Sequence, residues 1–215
     1  VTASARRRLA PMLSATKSKP KHEEIVDNSR WGTPPWLYEW VDGSIGFTLD
    51  VCADAENHKH PRYFDERTNG LQQPWAGERW WCNPPYGAEI SRWVMKCRDS
   101  VIDDESIGVA LLPHRADTEW WNRYIMQGDG EAGRLRACRY VEQTRVHWYR
   151  WQRAVIGVLV LDQRVPFVGA RNGAPFVSTL VIFASITQEP HRPSEHTWPD
   201  QFGDPLPDLL AGWPR

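Results

Sequence analysis

The chain has 215 residues, 41% of them hydrophobic, and a formal net charge of -1 at neutral pH. That is enough apolar material for one domain with a core, and too little net charge for a polycation, so affinity for nucleic acid must come from local patches. There is no apolar run of about 18 residues, which excludes a transmembrane helix, and the four cysteines show no CxxC spacing, which fits buried thiols in a reducing compartment.

Residues 1–22 carry Arg6, Arg7, Arg8, Lys17, Lys19 and Lys21, with no acid before Glu23. An apolar h-region is missing, so this is not a secretory signal. The segment 1–30 reads as a flexible basic arm able to touch phosphates, or as a solvated tail. Thr33-Pro34-Pro35-Trp36 opens a helix by capping logic, with Thr33 as N-cap and Pro34 in the first turn. Trp36, Leu37, Trp40 and Val41 would share its buried face, and Gly43 would close it. Gly46 to Ala53 reads as a buried strand. Asp50 lies in that apolar run, where a charge is costly unless paired. At a strand end it could meet a ligand ammonium or ribose hydroxyl, or cap a local turn. Arg62-Tyr63-Phe64-Asp65 reads as a short second strand ending in another acid. Cys52, His58, His60 and Cys82 match no standard zinc framework, so no metal is expected.

Arg79 to Cys82 is the next strand, and it stops at Asn83-Pro84-Pro85-Tyr86. Two prolines remove backbone donors and leave carbonyl acceptors. The Asn83 side-chain oxygen adds an acceptor, and Tyr86 adds a flat ring. Acceptors beside a stacking face suit an amino group on a planar heterocycle, such as the amine of adenine. Asn-Pro and Pro-Pro also occur as plain turns. Ile90, Trp93, Val94, Cys97 and Val101 then recur at helical spacing. Ile107 to Leu112 is a buried strand broken by Pro113. Arg115 at its end would meet a phosphate or pair with Asp117. A helix carrying Trp120, Trp121, Tyr124 and Ile125 follows.

Residues 134–153 mix Arg134, Arg136, Arg139, Arg145, Arg150 and Arg153 with Tyr140, His147, Trp148, Tyr149 and Trp151. Arginine neutralises phosphate and aromatics stack, so this suits a DNA surface, although an amphipathic hairpin looks the same. Ala154 to Leu161, Arg164 to Phe167 and Phe176 to Phe183 supply the last strands. Helices alternating with strands, then a run of strands, predict a mixed α/β sheet with an antiparallel edge. Residues 188–215 are Pro-rich and read as an extended tail.

In order along residues 31–184 stand Trp31-Gly32-Thr33-Pro34, the Gly46 to Ala53 strand, Asn57, Tyr63-Phe64, Gly70-Leu71 and Trp81 to Tyr86. Leu112 to Trp120, Arg164 to Phe167 and Ala174 to Phe176 complete the set. This ordered set resembles the phage-type, Dam-like DNA N6-adenine methyltransferases. Ala116 departs from the Arg-Thr-Asp-Thr run expected there, and the segment 134–163 is longer and more basic than the family core. It is a candidate target-recognition insertion within a methyltransferase domain at 31–187.

The resemblance implies a Rossmann-like fold: an abbreviated mixed sheet flanked by helices, binding S-adenosyl-L-methionine and yielding S-adenosyl-L-homocysteine. Its cofactor residues would be Thr33, Pro34, Asp50, Cys52, Ala53, Asp65 and Asn83. Asn83, Pro84, Pro85 and Tyr86 would form the catalytic loop, and the adenine would flip out of the duplex to reach it. Arg115, Thr118, Arg139, Arg145, Trp148 and Arg150 would contact double-stranded DNA. A monomer or weak dimer in the host cytoplasm is expected, in restriction-modification or phage biology. The same fold acting on RNA adenine, cytosine N4 or a protein glutamine, or a non-catalytic nucleic-acid-binding relict, remains open.

Overall fold

The computed structural model describes residues 31–103, 106–127, 138–141, 146–151, 154–170 and 173–185. The basic arm at 1–30 and the tail at 188–215 lie outside them. The strands are β1 (Leu49–Asp50), β2 (Arg79–Cys82), β3 (Ile107–Pro113), β4 (Cys138–Val141), β5 (Val146–Trp151), β6 (Ala154–Val160) and β7 (Ser178–Ser185). They form one 7-stranded sheet in the order β1-β2-β3-β7-β6-β5-β4. β1, β2 and β3 run parallel, while β7, β6, β5 and β4 continue the sheet as an antiparallel meander. The antiparallel portion is therefore more than an edge. The helices are α1 (Pro35–Ile45), α2 (Ile90–Asp103) and the short α3 (Glu119–Trp121), which runs into a π-helical turn at Asn122–Gln127. No described helix is long and apolar enough to cross a membrane.

Side chains alternate across a strand, so neighbouring residues serve opposite faces. Trp81, Val109, Leu111, Leu180 and Ile182 face one core, where Leu37, Tyr38 and Val41 of α1 pack. Trp80, Ala110, Leu112, Val181 and Phe183 face the other, with Trp93, Val94, Cys97 and Val101 of α2 and Trp121 of α3. A sheet covered on both faces needs apolar residues at consecutive positions, which is why β3 and β7 read as unbroken runs.

Several expectations change. Thr33 does not cap α1: Pro34 holds the N-cap position, no side chain bonds there, and Thr33 is 2% exposed. Gly43 lies inside the helix, which ends at Gly46 in the left-handed region (φ 64°) with its N–H donating to the Asp42 carbonyl. Trp36 is 41% exposed, so the buried face is Leu37, Tyr38 and Val41. Tyr63 forms only a bridge to Asp50. Arg164 to Phe167 is not a strand. Pro166 lacks a donor, and the antiparallel bridge there is made by the next residue, Val168, to Gly32.

Candidate active site

A cavity of about 830 Å³ opens at the carboxyl ends of β1 and β2. This is where open α/β sheets place their ligands. Its walls come from Trp31, Gly32 and Thr33 ahead of α1, Asp50 at the end of β1 and Cys52 to Asn57 after it, Gly70 and Leu71, and Asn83 and Pro85 after β2. Gly70 lies so close to the Val51 carbonyl that a Cβ there would overlap it. The missing side chain lets the turn close over the end of β1.

Asp50 anchors the loop behind it. The Lys59 N–H donates to Oδ2 (3.0 Å) and the Cys52 N–H to Oδ1 (3.3 Å). Burial pushes its carboxyl up to about 7, with those two N–H groups pulling the other way. Asp54 takes the N–H groups of Glu56 and Asn57, and Asp65 accepts from the Thr68 N–H and hydroxyl, both at 2.7 Å. Thr68 thereby holds the Asp65 carboxyl below the usual range. For Asp50 the turn-capping and cavity-lining readings therefore hold together, and Asp65 likewise caps a turn at the cavity wall. With Glu56, Glu66 and Glu89, these acids line a cavity whose wall has, among the described residues, one basic residue, Lys59. Such a lining attracts a cation and repels phosphate.

Asn83 stands at the cavity wall with both ends of its amide held. Its Nδ2 donates to the Trp31 carbonyl (2.8 Å), and its Oδ1 accepts from the Tyr86 hydroxyl (2.8 Å). The Pro85 carbonyl accepts from the Gly87 N–H (3.0 Å), which turns the loop back on itself. Pro84 is buried. Neither Pro34, Pro84 nor Tyr86 lines the cavity, whereas Thr33, Asp50, Cys52, Ala53, Asp65, Asn83 and Pro85 do. The Tyr86 hydroxyl also lies 3.0 Å from the Leu111 carbonyl. Its ring meets Phe167 and Phe176 edge to face. Tyr86 thus sits behind Asn83 rather than beside it.

Burial pushes the thiols of Cys52 and Cys82 upward, so both are held protonated and are poor nucleophiles. No group of three or more His, Cys, Asp or Glu residues among the described ones could hold a metal ion.

At the end of β3, Arg115 pairs with Asp117 (3.2 Å) and both are exposed. The Thr118 hydroxyl donates to the Arg115 carbonyl (2.7 Å). Arg139 lies in β4 and Trp148 and Arg150 in β5, with Arg139 opposite Trp148. Arg145 lies outside the described residues. Sequence reasoning gave no role to Trp31, Lys59, Glu56 or Glu89. Trp31 carried a signal, as the head of the Trp31-Gly32-Thr33-Pro34 element.

A family model described as DNA N-6-adenine-methyltransferase (Dam) matches residues 18–179. A protein of Escherichia phage T1 named DNA N-6-adenine-methyltransferase is 29% identical over 111 residues, covering 51% of this chain and 46% of that protein. The chain thus spans about half the length of this curated relative. A protein of Escherichia coli (strain K12) named "Putative methyltransferase YfdM" is 30% identical over 82 residues, covering 34% of this chain and 89% of that protein.

Proposed function

The chain belongs to the DNA N-6-adenine-methyltransferase (Dam) family, and from that premise we propose that it methylates adenine N6 in double-stranded DNA, using S-adenosyl-L-methionine on a Rossmann-like sheet. The observation that carries this reading is the Asn83 amide, held at the wall of an acid-lined cavity.

The cavity fits the cofactor. Ligand sites span roughly 300–1,000 Å³, and about 830 Å³ is in the upper part of that range. This supports room for a cofactor and a flipped base together. Asp50, Asp65 and the glutamates suit a ligand carrying an ammonium and a positive sulfur. Thr33, Cys52 and Ala53 would line its path. When bound, the cofactor supplies an electrophilic methyl group on that sulfur.

The residues of the chain would do the rest by position. Asn83 Oδ1 has a lone pair beyond the one facing Tyr86 and would accept one N–H of the adenine amine. The resemblance gives the other to the Pro84 carbonyl, which the loop would have to turn toward the base, since Pro84 is buried and off the cavity wall. Two acceptors hold the amine hydrogens in a plane and direct the nitrogen lone pair at the methyl group. They also stabilise positive charge as it grows on the nitrogen. The described contacts of Asn83 include no basic side chain, which suits a nucleophile whose proton leaves after transfer. The protonated thiols of Cys52 and Cys82 argue against chemistry that needs a cysteine nucleophile.

Duplex DNA incubated with the protein and S-adenosyl-L-methionine, then digested to nucleosides for mass spectrometry, tests the reading. N6-methyladenosine is expected in its deoxy form. N4-methylcytosine in its place, or methylation confined to RNA, would assign the fold a different acceptor. No methylated base and no cofactor binding would leave a binding module.

A further inference from the structure

We propose that the Trp31 main-chain carbonyl and the Tyr86 hydroxyl form a clamp that fixes which end of the Asn83 amide points which way, making Tyr86 a positioning residue for methyl transfer. This rests on the reading above, in which Asn83 Oδ1 receives the substrate amine.

An asparagine amide is nearly symmetric in shape, and its two ends differ only in chemistry. A carbonyl cannot donate, so the Trp31 oxygen selects the NH2 end at 2.8 Å. The flipped amide would set two oxygens against each other. With the NH2 end fixed there, Oδ1 must face Tyr86, whose hydroxyl donates to it at 2.8 Å. The hydroxyl has one hydrogen and a second acceptor in reach, the Leu111 carbonyl at 3.0 Å. Rotation about one C–O bond moves that hydrogen to Leu111. Asn83 Oδ1 is then free to take the incoming N–H without any heavy atom shifting.

The same two side chains brace both arms of the clamp. The Trp31 ring stacks on Phe167 (5.5 Å) and Phe176 (6.2 Å). The Tyr86 ring meets Phe167 (5.8 Å) and Phe176 (5.5 Å) edge to face. Gly32 exchanges two backbone hydrogen bonds with Val168, at 3.0 and 2.8 Å, which fixes the Trp31 peptide. Neither phenylalanine lines the cavity. Their place in the β6–β7 connection is explained by what they hold.

Tyr86→Phe keeps the ring and removes the hydroxyl. The expected result is a single-turnover transfer rate about 10- to 100-fold lower, with cofactor and DNA dissociation constants within about twofold of wild type. In an Asn83→Ser background, which keeps an oxygen but has no amide to orient, the same change should cost less than about threefold. An unchanged rate in Tyr86→Phe overturns the clamp. So does an equal loss in both backgrounds, because the hydroxyl would then act independently of the amide. If Tyr86→Phe does not fold, Phe176→Leu serves instead: the rate should fall with cofactor affinity kept, and an unchanged rate overturns the clamp. Wild-type transfer by Asn83→Ala would instead remove the underlying role of Asn83.

Discussion

Asp50 sits where the cavity meets β1, and under the proposed function its ionisation would link cofactor affinity to pH. Its carboxyl is pushed from an ordinary 3.8 to about 7 by burial, so near neutrality it is partly protonated. Lys59 and the N–H of Cys52 favour the charged form, while Asp54 opposes it. A cationic ligand also favours the charged form. Affinity should therefore fall as pH drops below 7, by up to about tenfold per unit for one linked proton. Calorimetry in buffers of different ionisation heat should show proton release on binding near pH 7, and Asp50→Asn should abolish it. Release that persists in Asp50→Asn would assign the proton elsewhere. The stability effect has the opposite sense. A raised folded-state value contributes stability below about 4 that is lost as pH rises through 7. The sequence singled out Asn83 as the residue at which an apolar strand stops and Asp50 as a charge within an apolar run, and both line the cavity. The Asn83 partner Trp31 was not legible as a contact, since only the folded chain brings positions 31 and 83 together.

Gly108 in β3 shows how tightly the elements pack around Trp80. A Cβ at Gly108 would overlap the Trp80 ring. That ring cannot easily yield, because its Nε1 donates to Ser106 Oγ (3.2 Å) and it packs against Trp75 and Phe183. Gly108→Ala should lower the free energy of unfolding by about 1–3 kcal/mol. A urea midpoint equal to wild type would show that Trp80 has room to move. The strands on either side were readable from their apolar runs. The β6–β7 connection was not. Val165 and Phe167 alternate with Pro166 as in a strand and both are buried, but proline cannot join a ladder. Thr33 looked like a cap because threonine before prolines suits a helix start. The placement of Trp31, Gly32 and Thr33 on the cavity wall, with Gly32 bridged to Val168, overrode that local preference.

Across the whole molecule, the parallel strands carry the acidic cavity and the antiparallel strands extend away from it. An acid-lined cavity repels phosphate, so under the proposed function the DNA backbone would be held elsewhere. Arg139 in β4 and Arg150 in β5 are the candidates the sheet supplies. Replacing both with Gln should flatten the slope of log affinity against log salt by about 1–2, with cofactor affinity unchanged. An unaltered slope would remove these strands from the interface. The interleaving of arginine and aromatic residues marked 134–153 as a candidate surface in the sequence, whereas the four-strand meander emerged only from the pairing register.

Wild type and Asn83→Ala, compared in the same preparation for cofactor affinity and for single-turnover formation of N6-methyladenine in duplex DNA, test the account most directly. It predicts cofactor affinity retained within a few-fold and a transfer rate lower by at least about 100-fold. Equal rates in the two proteins would contradict it.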